Sequence, residues 1–195
     1  SSRQSAPNCA SRAWASTDVA ARAATLDRLA QCLEDDLPQL VALCAREAGK
    51  TLADGVADVR EAVDFCRYYA AQARSAFSPQ ELASPTGERN VLTLHGRGVF
   101  ACISPWNFPV AIFVGQVAAA LVAGNTVVAK PAEQTPLTAY RVARLIREAG
   151  VPAEVFHLLP GDGAIGRAIV EDPRIAGVAF TGSSETARAI QRSLA

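Results

Sequence analysis

The hydrophobic pattern of the chain changes character near its middle. Up to residue 74, apolar positions recur at three- and four-residue intervals, and after Gly98 short apolar runs alternate with helical stripes. In the first part, Leu26, Leu29, Ala30 and Leu33 share one face of a helix predicted over Val19–Leu33, with Thr17 or Asp18 as its N-cap. A second helix, Asp36–Ala48, carries Leu37, Leu40, Val41 and Cys44 and is closed by Gly49. A third, Leu52–Arg74, keeps the spacing over four turns through Val56, Val59, Val63, Cys66 and Ala70. These stripes read as scaffold. Pro79, Pro85 and Gly87 then break the pattern over Ala76–Glu88, which predicts a surface connection and a subdomain boundary. Asn90–Arg97 alternates, with Val91, Thr93 and His95 on one side and Leu92 and Leu94 on the other, and predicts a strand leading into Gly98.

From Gly98 onward the order is strand, helix, strand, helix. Val99–Ile103 reads as a buried strand, Val110–Ala123 as an apolar helix and Thr126–Lys130 as a second strand. Thr135 is placed to cap, and Pro136 to open, a helix with the stripe Thr138, Val142, Leu145 and Ala149, stopped by Gly150 and Pro152. A strand at Val155–Leu159, a short helix near Ile165–Val170, a strand at Val178–Phe180 and a helix from Ser184 complete the series. Four βα units in succession predict an α/β fold, a parallel sheet with helices on both faces.

Composition narrows the function. Half of the 195 residues are hydrophobic, which supports a packed core, and Lys plus Arg balance Asp plus Glu at 19 each. That balance argues against a nucleic-acid or anionic-membrane partner. The five cysteines (Cys9, Cys32, Cys44, Cys66 and Cys102) form no C-x-x-C pair. Cys9 falls in a lead-in and the others in predicted helices or a strand, and an odd number fits a reducing compartment. His95 and His157 stand far apart without partners at ligand spacing, so no metal site is expected. The N-terminus is polar and shows no signal peptide. The longest apolar run, Val110–Ala123, is too short to span a bilayer, and the expected location is cytoplasmic.

Four stretches can carry chemistry, each at the C-terminal end of a predicted strand, where open α/β sheets bind ligands. Ser104-Pro105-Trp106-Asn107-Phe108-Pro109 holds a Trp and an Asn between two prolines, which fix the backbone and favour a rigid amide donor. Lys130-Pro131-Ala132-Glu133 offers a donor and an acceptor that suit a ribose diol, or a surface ion pair. Gly161-Asp162-Gly163-Ala164-Ile165-Gly166 is a literal G-x-G-x-x-G between strand and helix, either a dinucleotide fingerprint or a tight turn. No acidic residue ends the following strand to hold a ribose. Thr181-Gly182-Ser183-Ser184 opens the last helix with small hydroxyl residues that suit a phosphate oxygen or ordinary capping.

Pro105–Pro109, Gly124-Asn125-Thr126-Val127-Val128-Ala129-Lys130-Pro131-Ala132-Glu133 and Phe180-Thr181-Gly182-Ser183, with Glu47-Ala48-Gly49-Lys50-Thr51 upstream, resemble the aldehyde dehydrogenase superfamily in order and spacing. Val59–Tyr69 and Leu159–Gly163 resemble one branch of it, the glutamate-semialdehyde dehydrogenase (pyrroline-5-carboxylate dehydrogenase) module of bacterial proline utilization A. The resemblance implies a Rossmann-like NAD-binding domain. Residues 1–88 would form its N-terminal helical segment, 89–97 a connecting strand and 98–195 its βα units, with the catalytic domain absent. It implies NAD-dependent oxidation of L-glutamate γ-semialdehyde to glutamate by a Cys nucleophile and a Glu base.

On that resemblance Asn107 is the side-chain donor of an oxyanion hole. Ile103, Ser104, Pro105 and Trp106 form a backbone wall of the cofactor cleft, Lys130 and Glu133 contact the adenosine ribose, and Gly182 and Ser183 the pyrophosphate. Gly163 and Gly166 give the cofactor room, and Glu61 and Phe65 line the aldehyde entrance. The family's Cys and Glu motifs lie downstream of Phe180–Ser183 and none of the five cysteines matches the nucleophile; Cys102 reads as packing. The chain alone is therefore expected to be inactive, as part of a longer, homo-oligomeric enzyme, with FAD involved only if a proline dehydrogenase module precedes it. A non-catalytic copy with an assembly role, or a dehydrogenase for another aldehyde, are the competing readings.

Overall fold

A computed structural model describes residues 9–194; the polar stretch 1–8, read above as free of a signal peptide, lies outside the described residues. Four helices open the chain: α1 (Cys9–Ala15), α2 (Val19–Asp35), α3 (Leu37–Ala48) and α4 (Leu52–Ala76). Cys9 thus begins a helix where a lead-in was expected. The predicted stripes meet in one core, through Leu26, Leu29 and Leu33 of α2, Leu40 and Cys44 of α3, and Val59, Val63 and Cys66 of α4. Gly49, at φ 65°, ends α3 in the left-handed conformation that costs glycine least. Two residues later Thr51 caps α4 by accepting from the Asp54 N–H. Neither residue proposed to cap α2 does so with its side chain. The Thr17 hydroxyl is taken by the Ala13 carbonyl of α1, and Asp18 contributes only its backbone carbonyl, to Arg22 N–H.

The stretch after α4 departs from expectation. It forms an antiparallel hairpin of β1 (Gln80–Leu82) and β2 (Asn90–Leu92), with Gln80 opposite Leu92 and every residue exposed. The strand predicted over Asn90–Arg97 therefore stops at Leu92, opposite Gln80, the first residue of β1, and Leu94 is left exposed.

The remaining elements are β3 (Val99–Ile103), α5 (Ala111–Val122), β4 (Thr126–Lys130), α6 (Pro136–Glu148), β5 (Phe156–Leu158), α7 (Gly163–Glu171), β6 (Ile175–Phe180) and α8 (Ser184–Leu194). The four strands pair in the order β5-β4-β3-β6, all parallel. β6 starts earlier than its apolar run suggested, because Ile175 already pairs with Val99. Strand alternation divides the side chains between two faces. Cys102, Val127 and Ala129 join the large core built with α5, α6 and the N-terminal helices. Ala101, with Val99, Val128 and Val178 around it, meets Ile169 of α7 on the opposite face.

Helix α5 is buried on nearly every side, and each large side chain it buries, such as Phe113, contributes roughly 1.5–3 kcal/mol. Its ends are satisfied from far away in sequence. The Ala111 N–H donates to Asp58 Oδ1 of α4 at 2.8 Å. At the other end, Trp14 Nε1 donates to the Leu121 carbonyl at 2.8 Å and Arg22 Nε to the Val122 carbonyl at 2.9 Å. An anion at the first turn and a cation at the last complement the helix dipole. Helix α6 is treated alike. Thr135 occupies the N-cap position but makes no side-chain bond there. Instead Glu47 of α3 accepts from Leu137 N–H at 2.9 Å, Thr138 N–H at 2.7 Å and the Thr138 hydroxyl at 2.6 Å.

Candidate cofactor cleft and oxyanion loop

Three strands end in one row. Ile103 of β3 lies opposite Lys130 of β4 on one side and Phe180 of β6 on the other. One residue further, Ser104 N–H donates to the Lys130 carbonyl and Thr181 N–H to the Ile103 carbonyl, both at 3.2 Å. The Pro105–Pro109, Lys130–Glu133 and Thr181–Ser184 motifs therefore leave the sheet side by side, at its C-terminal edge.

The loop after β3 bends through Trp106, Asn107 and Phe108, and all three are exposed. The Asn107 amide has no hydrogen-bond partner among the described residues, so its N–H donors are free. Phe108 is held under the ammonium of Lys50, 4.1 Å from the ring centroid. Just upstream, Cys102 is buried on the α5 face and its thiol is pushed up to about 12 by that burial, which makes it inert.

On the other face, a cavity of about 510 Å³ opens between β3, β4, α7 and α8, within the span of roughly 300–1,000 Å³ usual for ligand sites. Ile103, Lys130, Gly163 and Gly166 all line it, joined by Arg167 and Thr186, which the sequence did not single out. Burial lowers the Lys130 ammonium from the usual lysine range, while the carboxylates of Glu133 and Asp162 act against that shift. Its Nζ donates to the Pro131 carbonyl at 2.9 Å, and Glu133 stands exposed, without an ion pair to it among the described residues. The glycine motif divides into separate jobs. A Cβ on Gly166 would come within 3.3 Å of the Lys130 stem, whereas one on Gly163 would meet open space. Asp162 caps α7 by accepting from Ala164 and Ile165 N–H. Ser183 caps α8 by accepting from Thr186 N–H at 3.1 Å, and donates to the Thr186 hydroxyl.

A second cavity of about 480 Å³ lies on the α5 face. Phe65 lines it, lying against Gly115, where a Cβ would stand 3.0 Å from the ring. Glu61, one turn away on α4, is exposed and borders neither cavity. Gln116 is the residue whose role the sequence left unread. Its Nε2 donates to the Ile103 carbonyl at 3.2 Å and to Thr181 Oγ1 at 3.1 Å, which ties the ends of β3 and β6 together. Its Oε1 is enclosed without a partner among the described residues. The available signal was a lone amide inside an otherwise apolar helix.

The aldehyde dehydrogenase family model matches residues 3–195. The bifunctional protein PutA of Rhizobium meliloti is 54% identical over 177 residues, which cover 91% of this chain and 13% of that protein. A crystal structure of a Bradyrhizobium japonicum PutA mutant superposes with a TM-score of 0.94 at 53% identity, over 98% of this chain and 20% of that one. A 1-pyrroline-5-carboxylate dehydrogenase from Thermus, solved with bound NAD, gives a TM-score of 0.92 at 37% identity, over 94% of this chain and 36% of that one. The chain thus spans about an eighth to a third of the length of these relatives.

Proposed function

The chain belongs to the aldehyde dehydrogenase family, and from that premise we propose that it works within a longer enzyme that oxidises L-glutamate γ-semialdehyde to L-glutamate with NAD. The similarity to PutA and to pyrroline-5-carboxylate dehydrogenase supports the substrate, and the NAD-bound relative supports the cofactor. The observation that carries the reading is the shared row of strand ends. From it, the loop that carries Asn107, with its free amide, and the motif that begins at Lys130, with its buried ammonium, leave adjacent strands.

The residues present suit a dinucleotide. The cavity at the strand ends is large enough for part of one, and its lining combines a partly desolvated ammonium with open space over Gly163. In this reading Lys130 and Glu133 hold a ribose diol, Gly182 and Ser183 approach the pyrophosphate, and Ile103 to Trp106 wall the nicotinamide end. NAD, when bound, supplies the hydride acceptor. Asn107 donates its amide N–H to the aldehyde oxygen as that oxygen gains negative charge under nucleophilic attack. The loop prolines keep the donor in place, so little reorganisation is needed as the charge develops. Glu61 and Phe65 border the approach of the aldehyde. The nucleophile and base come from residues beyond this chain.

The test is NAD reduction by the full-length enzyme with glutamate γ-semialdehyde against unsubstituted aliphatic aldehydes. A clear preference in kcat/KM for the semialdehyde supports the reading. Equal rates across the series point to a dehydrogenase for another aldehyde, and no turnover with any of them points to a non-catalytic copy.

A further inference from the structure

Resting on the reading of Asn107 as an oxyanion donor, we propose that Lys50 and Asp58 are positioning residues that hold the Asn107 loop in its working conformation. The Asn107 amide makes no hydrogen bond among the described residues, so its direction is inherited from the residues on either side. Upstream, the Ser104 N–H is fixed to β4 through the Lys130 carbonyl. Downstream, the chain is held by a closed circuit of contacts. Asp58 is fully buried, and its Oδ1 accepts the Ala111 N–H at 2.8 Å. Its Oδ2 lies 3.5 Å from Lys50 Nζ, and that same ammonium caps the face of the Phe108 ring at 4.1 Å. From Phe108 the backbone returns through three bonds of sequence to Ala111. Residues 108 to 111 are thus gripped at both ends by one ion pair from a different part of the fold.

The Glu47-Ala48-Gly49-Lys50-Thr51 stretch gains a purpose from this circuit. Gly49 turns the chain out of α3 and Thr51 starts α4, so Lys50 sits on a short, doubly capped corner, and its side chain is only 11% exposed. Three residues earlier, Glu47 fixes the start of α6, which follows the Lys130–Glu133 motif. One short corner therefore steadies the loops after both β3 and β4. An ammonium wedged between a buried carboxylate and an aromatic face is a stiff support, because moving the ring uncovers a charge that has already lost most of its water.

The test uses the full-length enzyme with Lys50→Met and Lys50→Arg, each made with Asn107 intact and with Asn107→Ala. Lys50→Met keeps the apolar stem but removes the charge. With Asn107 present it should lower kcat for the semialdehyde about tenfold while the KM for NAD stays within about twofold. Lys50→Arg should restore most of the rate, since a guanidinium also covers an aromatic face. In the Asn107→Ala background the effect of Lys50→Met should shrink to less than about twofold, because the group being positioned is gone. Should Lys50→Met fail to fold with Asp58 left unpaired, Phe108→Leu removes the ring face, leaves the ion pair intact and carries the same comparison. An equal loss from Lys50→Met in both backgrounds, or none in either, overturns the positioning role alone. Full activity in Asn107→Ala by itself overturns the donor role on which the inference rests.

Discussion

Glu47 receives both backbone N–H groups and the hydroxyl at the start of α6, with the two Thr138 bonds spanning 91 residues of sequence. The residue at the N-cap position, Thr135, makes no such bond. Replacing Glu47 by Ala leaves these donors without their charged acceptor, a loss of about 1–3 kcal/mol at that site. Hydrogen exchange in the full-length enzyme should accelerate at Leu137 and Thr138 well before the amides of α5 change. Uniform acceleration across the domain would show that the contact holds the whole fold and not the helix start.

Asn107→Ala should lower kcat by about 100- to 1,000-fold, the usual range for one lost oxyanion donor, with the KM for NAD little changed. Steady-state kinetics with the semialdehyde decide it. A raised KM with unchanged kcat would move Asn107 from stabilising the reacting oxygen to ground-state binding.

Glu133 makes a prediction about the cofactor. A carboxylate reserved for a ribose diol repels a 2′-phosphate, so the enzyme should prefer NAD over NADP. Glu133→Gln should narrow the ratio of the two kcat/KM values by about tenfold, an electrostatic cost of about 1.4 kcal/mol. Equal use of both cofactors by the unaltered enzyme would remove Glu133 from the ribose.

Cys102 should be silent. With its thiol pushed up to about 12 by burial, the thiolate is the minor form at every pH the fold is expected to meet. Alkylation at pH 8 followed by mass spectrometry should leave Cys102 unmodified in the native enzyme, and Cys102→Ala should retain turnover. Rapid labelling there would mean that the strand opens readily.

Much of this was legible in the sequence, and each exception has a physical cause. Strands β3 and β4 and helices α5 and α6 were readable because burial imposes a regular spacing on their apolar residues. Prolines and glycines also mark where they stop. Of the β1–β2 hairpin only β2 was readable, within the strand expected over Asn90–Arg97, because both strands are exposed and nothing in Gln80–Leu82 had to alternate. The start of α6 at Pro136 was readable but its cap was not: a local rule assigns capping to Thr135, whereas Glu47 receives the amides from across the fold, as Asp58 does for α5. The strand-end motifs were visible as residues, but not the row that aligns Ile103, Lys130 and Phe180, since register is set by pairing between distant segments. Gln116 shows the same limit: its amide serves strands that lie 13 and 65 residues away.

The acids that cap α5 and α6 also impose an order on the birth of the protein. Glu47 and Asp58 leave the ribosome well before the amides they serve, since Ala111 follows Asp58 by 53 residues and Thr138 follows Glu47 by 91. Until α5 has been made, Asp58 lacks the Ala111 amide and has only the Lys50 ammonium and the Cys44 thiol as partners. The N-terminal helices therefore hold an acceptor in reserve for a segment made later, and the bond that completes Asp58 also fixes the chain four residues after Asn107.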